Sequence, residues 1–222
     1  MDKDFQKSES NLTMALLTMS GGLQDAYTYI NRGGVFANAQ TGNIVRMSEN
    51  LLEWDWPGFL SYLFPVLAFA LGVFLSDEIK VRAKGKAKLH WREYVVIIEI
   101  IILFISAFIP HKLDALANAL ISLSCAMQVE AFRKVHGFAY ASTMCIGNLR
   151  SGTEAFHEYI VTKDKKFRTK SFEYFGMITI FAVGAGIGTL TAHHFGIYGI
   201  LPSCLLLICA FITMMVPQLD NH

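Results

Sequence analysis

Long blocks with few charges alternate along this chain with short connectors that carry many. Three windows hold no Asp, Glu, Lys or Arg: Trp56–Ser76, Tyr174–His194 (which ends in two histidines) and Phe195–Leu219. A helix needs roughly 20 apolar residues to cross a hydrocarbon core about 30 Å thick, and each window is long enough to span a bilayer. Three further blocks are interrupted by acids: Asn11–Ile30 by Asp25, Tyr94–Pro110 by Glu99, and Leu113–Phe132 by Asp114 at its start and Glu130 near its end. The pattern predicts an all-α, polytopic membrane protein of about six transmembrane helices.

Composition points the same way. Of 222 residues 53% are hydrophobic and 17% charged, against about a quarter charged in soluble domains, and the mean hydropathy is +0.40. A formal charge of +1 leaves no broad basic field for nucleic acid. Cys125, Cys145, Cys204 and Cys209 form no CxxC pair and sit in or beside apolar stretches, so they read as small hydrophobes and not as a disulfide framework or metal site. The first ten residues mix both signs and lack the basic-apolar-small order of a signal peptide. They read as a cytoplasmic tail, residues 1–10.

Lys and Arg set the orientation. The connector Asp77–Glu93 holds six and Glu158–Glu173 five, whereas Pro110–Leu113 holds one and His193–Tyr198 none. With both basic connectors inside, the N- and C-termini are cytoplasmic. The same connectors could contact acidic lipid, but short juxtamembrane loops carry this bias as a topology signal.

Asn31–Asp55 and Arg133–His157 are left over from the spans. Each is rich in Gly, Ser, Thr and Asn, and each follows the first span of a group of three. One constant shift along the chain aligns Asp25, Ala26 and Tyr27 with Glu130, Ala131 and Phe132; it also aligns Gly42-Asn43-Ile44 with Gly147-Asn148-Leu149 and Glu49 with Glu154. A one-residue gap adds Gln24 with Gln128, Gly33 with Gly137 and Arg46 with Arg150. Order and spacing agreeing in this way indicate duplication. Three spans per unit force the second copy (113–217) to enter from the side opposite the first (11–110), making an inverted repeat within a single membrane domain.

The stretch Gly21–Val45 (GGLQDAYTYINRGGVFANAQTGNIV), followed by MQVEAFRK and GNLR, resembles the YoaK-like family of bacterial integral membrane proteins. The Asp25-Ala26 pair and the Thr41-Gly42-Asn43 triplet are its most specific parts, and the second copy departs from the triplet with Ile146 in place of Thr. The resemblance implies about six spans and a bacterial inner-membrane location, and supplies no reaction.

Carboxylates within apolar spans are costly and face a bundle interior, where they bind ions or relay protons. That is one reading of Asp25 and Glu130; the other is an interfacial acid paired with Arg32 or Arg133. The Gly-Asn segments would break a helix, and non-helical backbone survives at membrane depth only when buried in protein or lining a wet cavity. Each leftover stretch is therefore expected to be a broken or re-entrant segment, with Thr41, Asn43 and Asn148 offered to a solute at half-helix ends. The competing reading is an amphipathic helix on the membrane surface; Asn38, Gln40 and Thr41 among apolar neighbours favour the dip. Glu99 is expected to snorkel to the cytoplasmic face or pair with Arg92. Gly184-Ala185-Gly186-Ile187-Gly188 has the spacing that lets another helix approach.

No HExxH, GxSxG or P-loop is present, and no nucleophile-base arrangement; the expectation is a non-enzyme that needs no cofactor or metal. The leading reading is a permease for a small solute or ion, its site between the two repeats and built from Asp25, Thr41, Asn43, Glu130 and Asn148. The alternative is a non-transporting membrane sensor that recruits a partner. Besides the bilayer and that solute no partner is named, nucleic acid is not expected, and a homo-oligomer is left open.

Overall fold

A computed structural model describes residues 10–83, 90–135, 138–139 and 145–215. Most of the 1–10 tail, the middle of the first basic connector, Gly137 and the end of the second unit lie outside the described residues. The described elements are eight helices: α1 (Asn11–Asn31), α2 (Gln40–Leu52), α3 (Trp56–Ala83), α4 (Trp91–Ser106), α5 (Asp114–Ala131), α6 (Cys145–Thr162), α7 (Lys165–Phe195) and α8 (Leu201–Met215). A two-residue antiparallel ladder, β1 (Lys134–Val135) with β2 (Phe138–Ala139), lies between α5 and α6.

Several helices outrun the apolar windows. α3 continues through Lys80 and Arg82 and α7 begins in the second basic connector, because Lys, Arg and Glu are good helix formers once they leave the apolar layer. The ends have local causes. Ser10 Oγ accepts from Thr13 N–H at 3.2 Å and Asp164 Oδ1 from Lys166 N–H at 2.9 Å. His90 and Glu93 form a reciprocal cap at the start of α4. Gly196, at φ +55°, stops α7.

The fold is polar inside and apolar outside. α3 buries only Pro65, Gly72 and Ser76 and exposes Leu60, Phe64, Leu67, Leu71 and Phe74. Thr13, Ser20, Gln24, Glu99, Ser122 and Ser203 are fully buried. In water this would be costly on both counts; in lipid it is the favoured arrangement, since polar groups find partners only inside the bundle. α3 and the run from α7 through α8 (Lys165–Met215) are long and apolar enough to cross a membrane. α4 has 16 residues and α5 has 18, short of the roughly 20 that a perpendicular crossing takes.

Packing partners come in matched pairs. α1 lies along α7 and α5 along α3; α1 also meets α8 and α5 meets α4; α2 packs on α3 and α6 on α7; α4 touches α8. Exchanging α1–α4 for α5–α8, in order, turns the first six pairs into one another and α4–α8 into itself, while the smaller α3–α4 contact has no α7–α8 counterpart of like size among the described residues. The match extends to single residues. A Cβ on Gly72 would run into the Leu123 carbonyl, and one on Gly184 into that of Met19. One turn on, Ser76 Oγ donates to Met127 O at 3.3 Å, and Gly188 lies against the Leu23 carbonyl. A single offset relates Gly72 to Gly184 and Ser76 to Gly188. A second offset relates Met19 to Leu123 and Leu23 to Met127; it is the one that pairs Gln24 with Gln128. The glycine spacing at 184–188 thus serves close helix approach.

Candidate functional site

After α1 the chain reverses. Gly33 and Gly34 adopt φ of +81° and +75°, a region that L side chains avoid, and Val35 and Ala37 fold back into the interior, 1% and 0% exposed. At Asn38 the backbone N–H donates to Asp25 Oδ1 (2.7 Å) and Nδ2 to Gly21 O (3.2 Å). Asp25 stands six residues before the end of α1, and Gly21 is its middle residue. At 1.5 Å per residue, the segment has descended roughly 9 to 15 Å along α1 before α2 begins. The segment after α1 is therefore re-entrant with respect to that helix, and Asp25 holds its deepest point.

Asn43 keeps the turn in shape. Its Oδ1 accepts from Phe36 N–H (3.0 Å), and its Nδ2 donates to Phe36 O (2.7 Å) and Gln40 Oε1 (2.9 Å). Gln40 Nε2 in turn donates to Ala37 O at 2.8 Å, and Phe36 stacks on Tyr29 with ring centres 4.7 Å apart. Asn43 is committed to the loop and does not line the cavity described next.

A cavity of about 650 Å³ opens where α2 and α6 begin. Asp25, Asn38 and Thr41 face it from the first half, Cys145 and Ile146 from the second, and Phe69 on α3 and Phe181 on α7 wall it. The shift that aligns the two Gly-Asn pairs relates Thr41 to Ile146, and the offset that relates Gly72 to Gly184 also relates Phe69 to Phe181. The cavity thus lies between matched elements of the two halves, with two helix N-termini at its edge.

Of the five residues singled out from sequence, the structure brings Asp25 and Thr41 together in this cavity. Asn148 is buried in α6 at 4% exposure and is not among the lining residues. Glu130 also lies apart: its Oε1 is paired with Arg133 Nη1 at 2.9 Å, one turn on along the same surface. For Glu130 the ion pair with Arg133 is what the structure contains. Asp25 has no such pair with Arg32, which is seven residues on, about 10 Å along the axis. Arg32 is instead fully buried, donating to Tyr27 Oη (2.9 Å), Ile109 O (2.8 Å), Ser106 O (3.1 Å) and Asp114 Oδ1 (2.7 Å). It fastens the end of α1 to the α4–α5 turn.

Glu99 departs from expectation. It neither snorkels nor pairs with Arg92: it is 0% exposed, its Oε1 is 3.5 Å from Gln24 Nε2, and Arg92 Nε donates to Ala131 O instead. Because α4 starts at Trp91, Glu99 is two turns inside, too deep for its side chain to reach the helix end, and it faces α1. Gln24 joins it to Ser20 (2.9 Å) and Cys125 (2.8 Å), and Ser20 to Ser203 (2.6 Å).

Asn38, Phe69, Phe181 and Cys145 were not among the site residues named from sequence. Asn38 was legible as a polar residue in an apolar run; the two phenylalanines carried no local signal, being two of seventeen.

Interior polarity and a lipid-compatible surface define a helical membrane protein. The chain belongs to the family described as protein of unknown function (DUF1275), whose model matches residues 13–213. It is similar to the UPF0700 transmembrane protein YoaK of Bacillus subtilis (strain 168), 24% identical over 194 residues that cover 83% of this chain and 85% of that protein. No solved structure matches the chain.

Proposed function

We propose that the chain is a permease for a small solute, with one site in the cavity between two inverted repeats. In this reading α1, α3, α4, α5, α7 and α8 cross the plasma membrane and α2 and α6 are half-helices that end at the site. The Lys- and Arg-rich connectors, with both termini, lie on the cytoplasmic side. The observation that carries the reading is the cavity that the first residues of α2 and α6 both line, with Asp25 and Asn38 in its wall. Transporters of inverted-repeat design place their substrate at such a junction of broken helices. The contacts gather α1, α6, α7 and α8 into one bundle and α2, α3, α4 and α5 into another, each drawing helices from both repeats, and in this reading those two bundles rock against each other about that point. No catalytic group is needed for this, and none is assigned.

Cys145, on the cavity wall, is the native reporter. With exposed Cys209 changed to Ser, a membrane-impermeant thiol reagent should label Cys145 in both right-side-out and inside-out vesicles, because alternating access opens the cavity to each side in turn. Labelling from one side alone, under every condition tried, would make the cavity the pocket of a sensor and end the permease reading.

A further inference from the structure

The two sides of the cavity match in position and differ in chemistry. Where the first half places Gln40 and Thr41, the second places Cys145 and Ile146. Asp25 and Asn38 stand on the first side as well, while Phe69 and Phe181 wall the space. One side is polar and the other apolar, so an occupant that fits both has a polar head and an apolar body.

The hydrogen bonds say what kind of head. Three donors at the polar edge have partners, Asn38 N–H on Asp25, Asn38 Nδ2 on Gly21 O and Gln40 Nε2 on Ala37 O, and the Thr41 hydroxyl can donate or accept. One acceptor is left over: Asn38 is 3% exposed and its Oδ1 has no partner. The Asp25 carboxyl, held by the backbone at Ala37, Asn38 and Ala39, is the ionisable acid in the lining. Buried acceptors left unmatched are costly, so a ligand that donates is favoured over one that accepts. The starts of α2 and α6 would by themselves favour an anion, but Asp25 already answers the end of α2 through Asn38. An incoming anion would meet that carboxyl group.

We propose that the solute is a small amine, with its N–H groups directed to Asn38 Oδ1 and the Asp25 carboxyl and a compact apolar body held between Phe69 and Phe181. The inference rests on the cavity being the permease's solute site. Whether the shared proton lies on the carboxyl or on the nitrogen, the pair holds the same atoms, and the aromatic walls suit a nitrogen head in its cationic form. A volume of about 650 Å³ lies within the range that houses small organic ligands.

Three probes of equal body and different head separate the possibilities: benzylamine, benzoate and benzyl alcohol. In the purified full chain carrying Cys209→Ser, the readout is the rate at which N-ethylmaleimide alkylates Cys145. Saturating benzylamine should slow it at least about tenfold and the other two less than about twofold, a selectivity of one hydrogen-bonded head. Asp25→Asn keeps an oxygen for Asn38 N–H and replaces the other by a donor, so it should abolish benzylamine protection. Should that variant fail to fold, Ile146→Lys at an exposed wall position supplies a competing amine and should do the same.

Stronger protection by benzoate, or equal protection by all three, overturns the amine assignment and leaves the permease reading standing. No protection by any probe, with Cys145 still labelled from both faces of vesicles, has the same meaning. No protection together with one-sided labelling removes both.

Discussion

At Gly72 and at Gly184 the two halves of this molecule do the same thing: a helix backbone comes against a carbonyl of its neighbour, Leu123 in one half and Met19 in the other. At Asp25 and Glu130, which the sequence aligns, they do different things. Asp25 reaches out from α1 to hold the backbone of a re-entrant segment, and Glu130 lies in an ion pair with exposed Arg133. The contrast teaches where likeness between halves constrains a chain. Close helix contacts must be kept in both because each bears on the other half's helix. Side chains at the edge of a shared cavity can diverge, since one copy suffices to hold a ligand.

The largest effect should come from breaking what the halves share. Gly72→Leu and Gly184→Leu each force a side chain into neighbouring backbone that has no room to retreat. Overpacking of this kind costs about 3 kcal/mol, and unfolding of the purified protein in detergent should show similar losses for the two. A large loss at one position and none at the other would mean that the glycine contacts are local accidents and not the two images of one interface.

Next in size is the contact only the first half has. Asp25→Ala removes the acceptor of a buried backbone N–H, a cost of about 2 kcal/mol. It also frees the segment from Val35 to Asn38, so amide exchange there should rise while α7 keeps its protection. Uniform acceleration across the chain would argue that Asp25 supports the whole bundle and not the re-entrant segment alone.

What the sequence disclosed follows the same division. The helical membrane class and the glycine packing spacing were legible because each leaves a periodic trace: apolar runs long enough to cross a bilayer and glycines at helical spacing. The site was legible only in part. Asp25 and Thr41 stood out as polar residues in apolar company. Asn43 stood out through its Gly-Asn pair yet serves the loop, because a single amide that bonds both N–H and O of Phe36 is indistinguishable in sequence from one that binds a solute. Glu99 was placed at the helix end because its distance from Arg92 suggested reach. Only the facing of α4 toward Gln24 reveals that it belongs to the interior. Phe69 and Phe181 needed the fold itself, since their pairing depends on α3 and α7 both coming to the wall of one cavity.

The smallest effect sharpens the comparison most. Glu130→Ala removes a carboxylate that is 10% exposed but whose partner guanidinium is 67% exposed. A pair with one member in solvent or at a headgroup boundary contributes little, about 0.5 kcal/mol. Its loss leaves Arg133 free to turn outward, where the Asp25 variant leaves a buried N–H with nothing to bond. Equilibrium unfolding of Glu130→Ala should therefore fall close to the unaltered protein, and Cys145 alkylation should proceed at the same rate with the same protection by benzylamine. If Glu130→Ala instead matched Asp25→Ala in both readouts, the two acids would be acting as images of one another, and the division between a shared framework and a one-sided site would be wrong at its central pair.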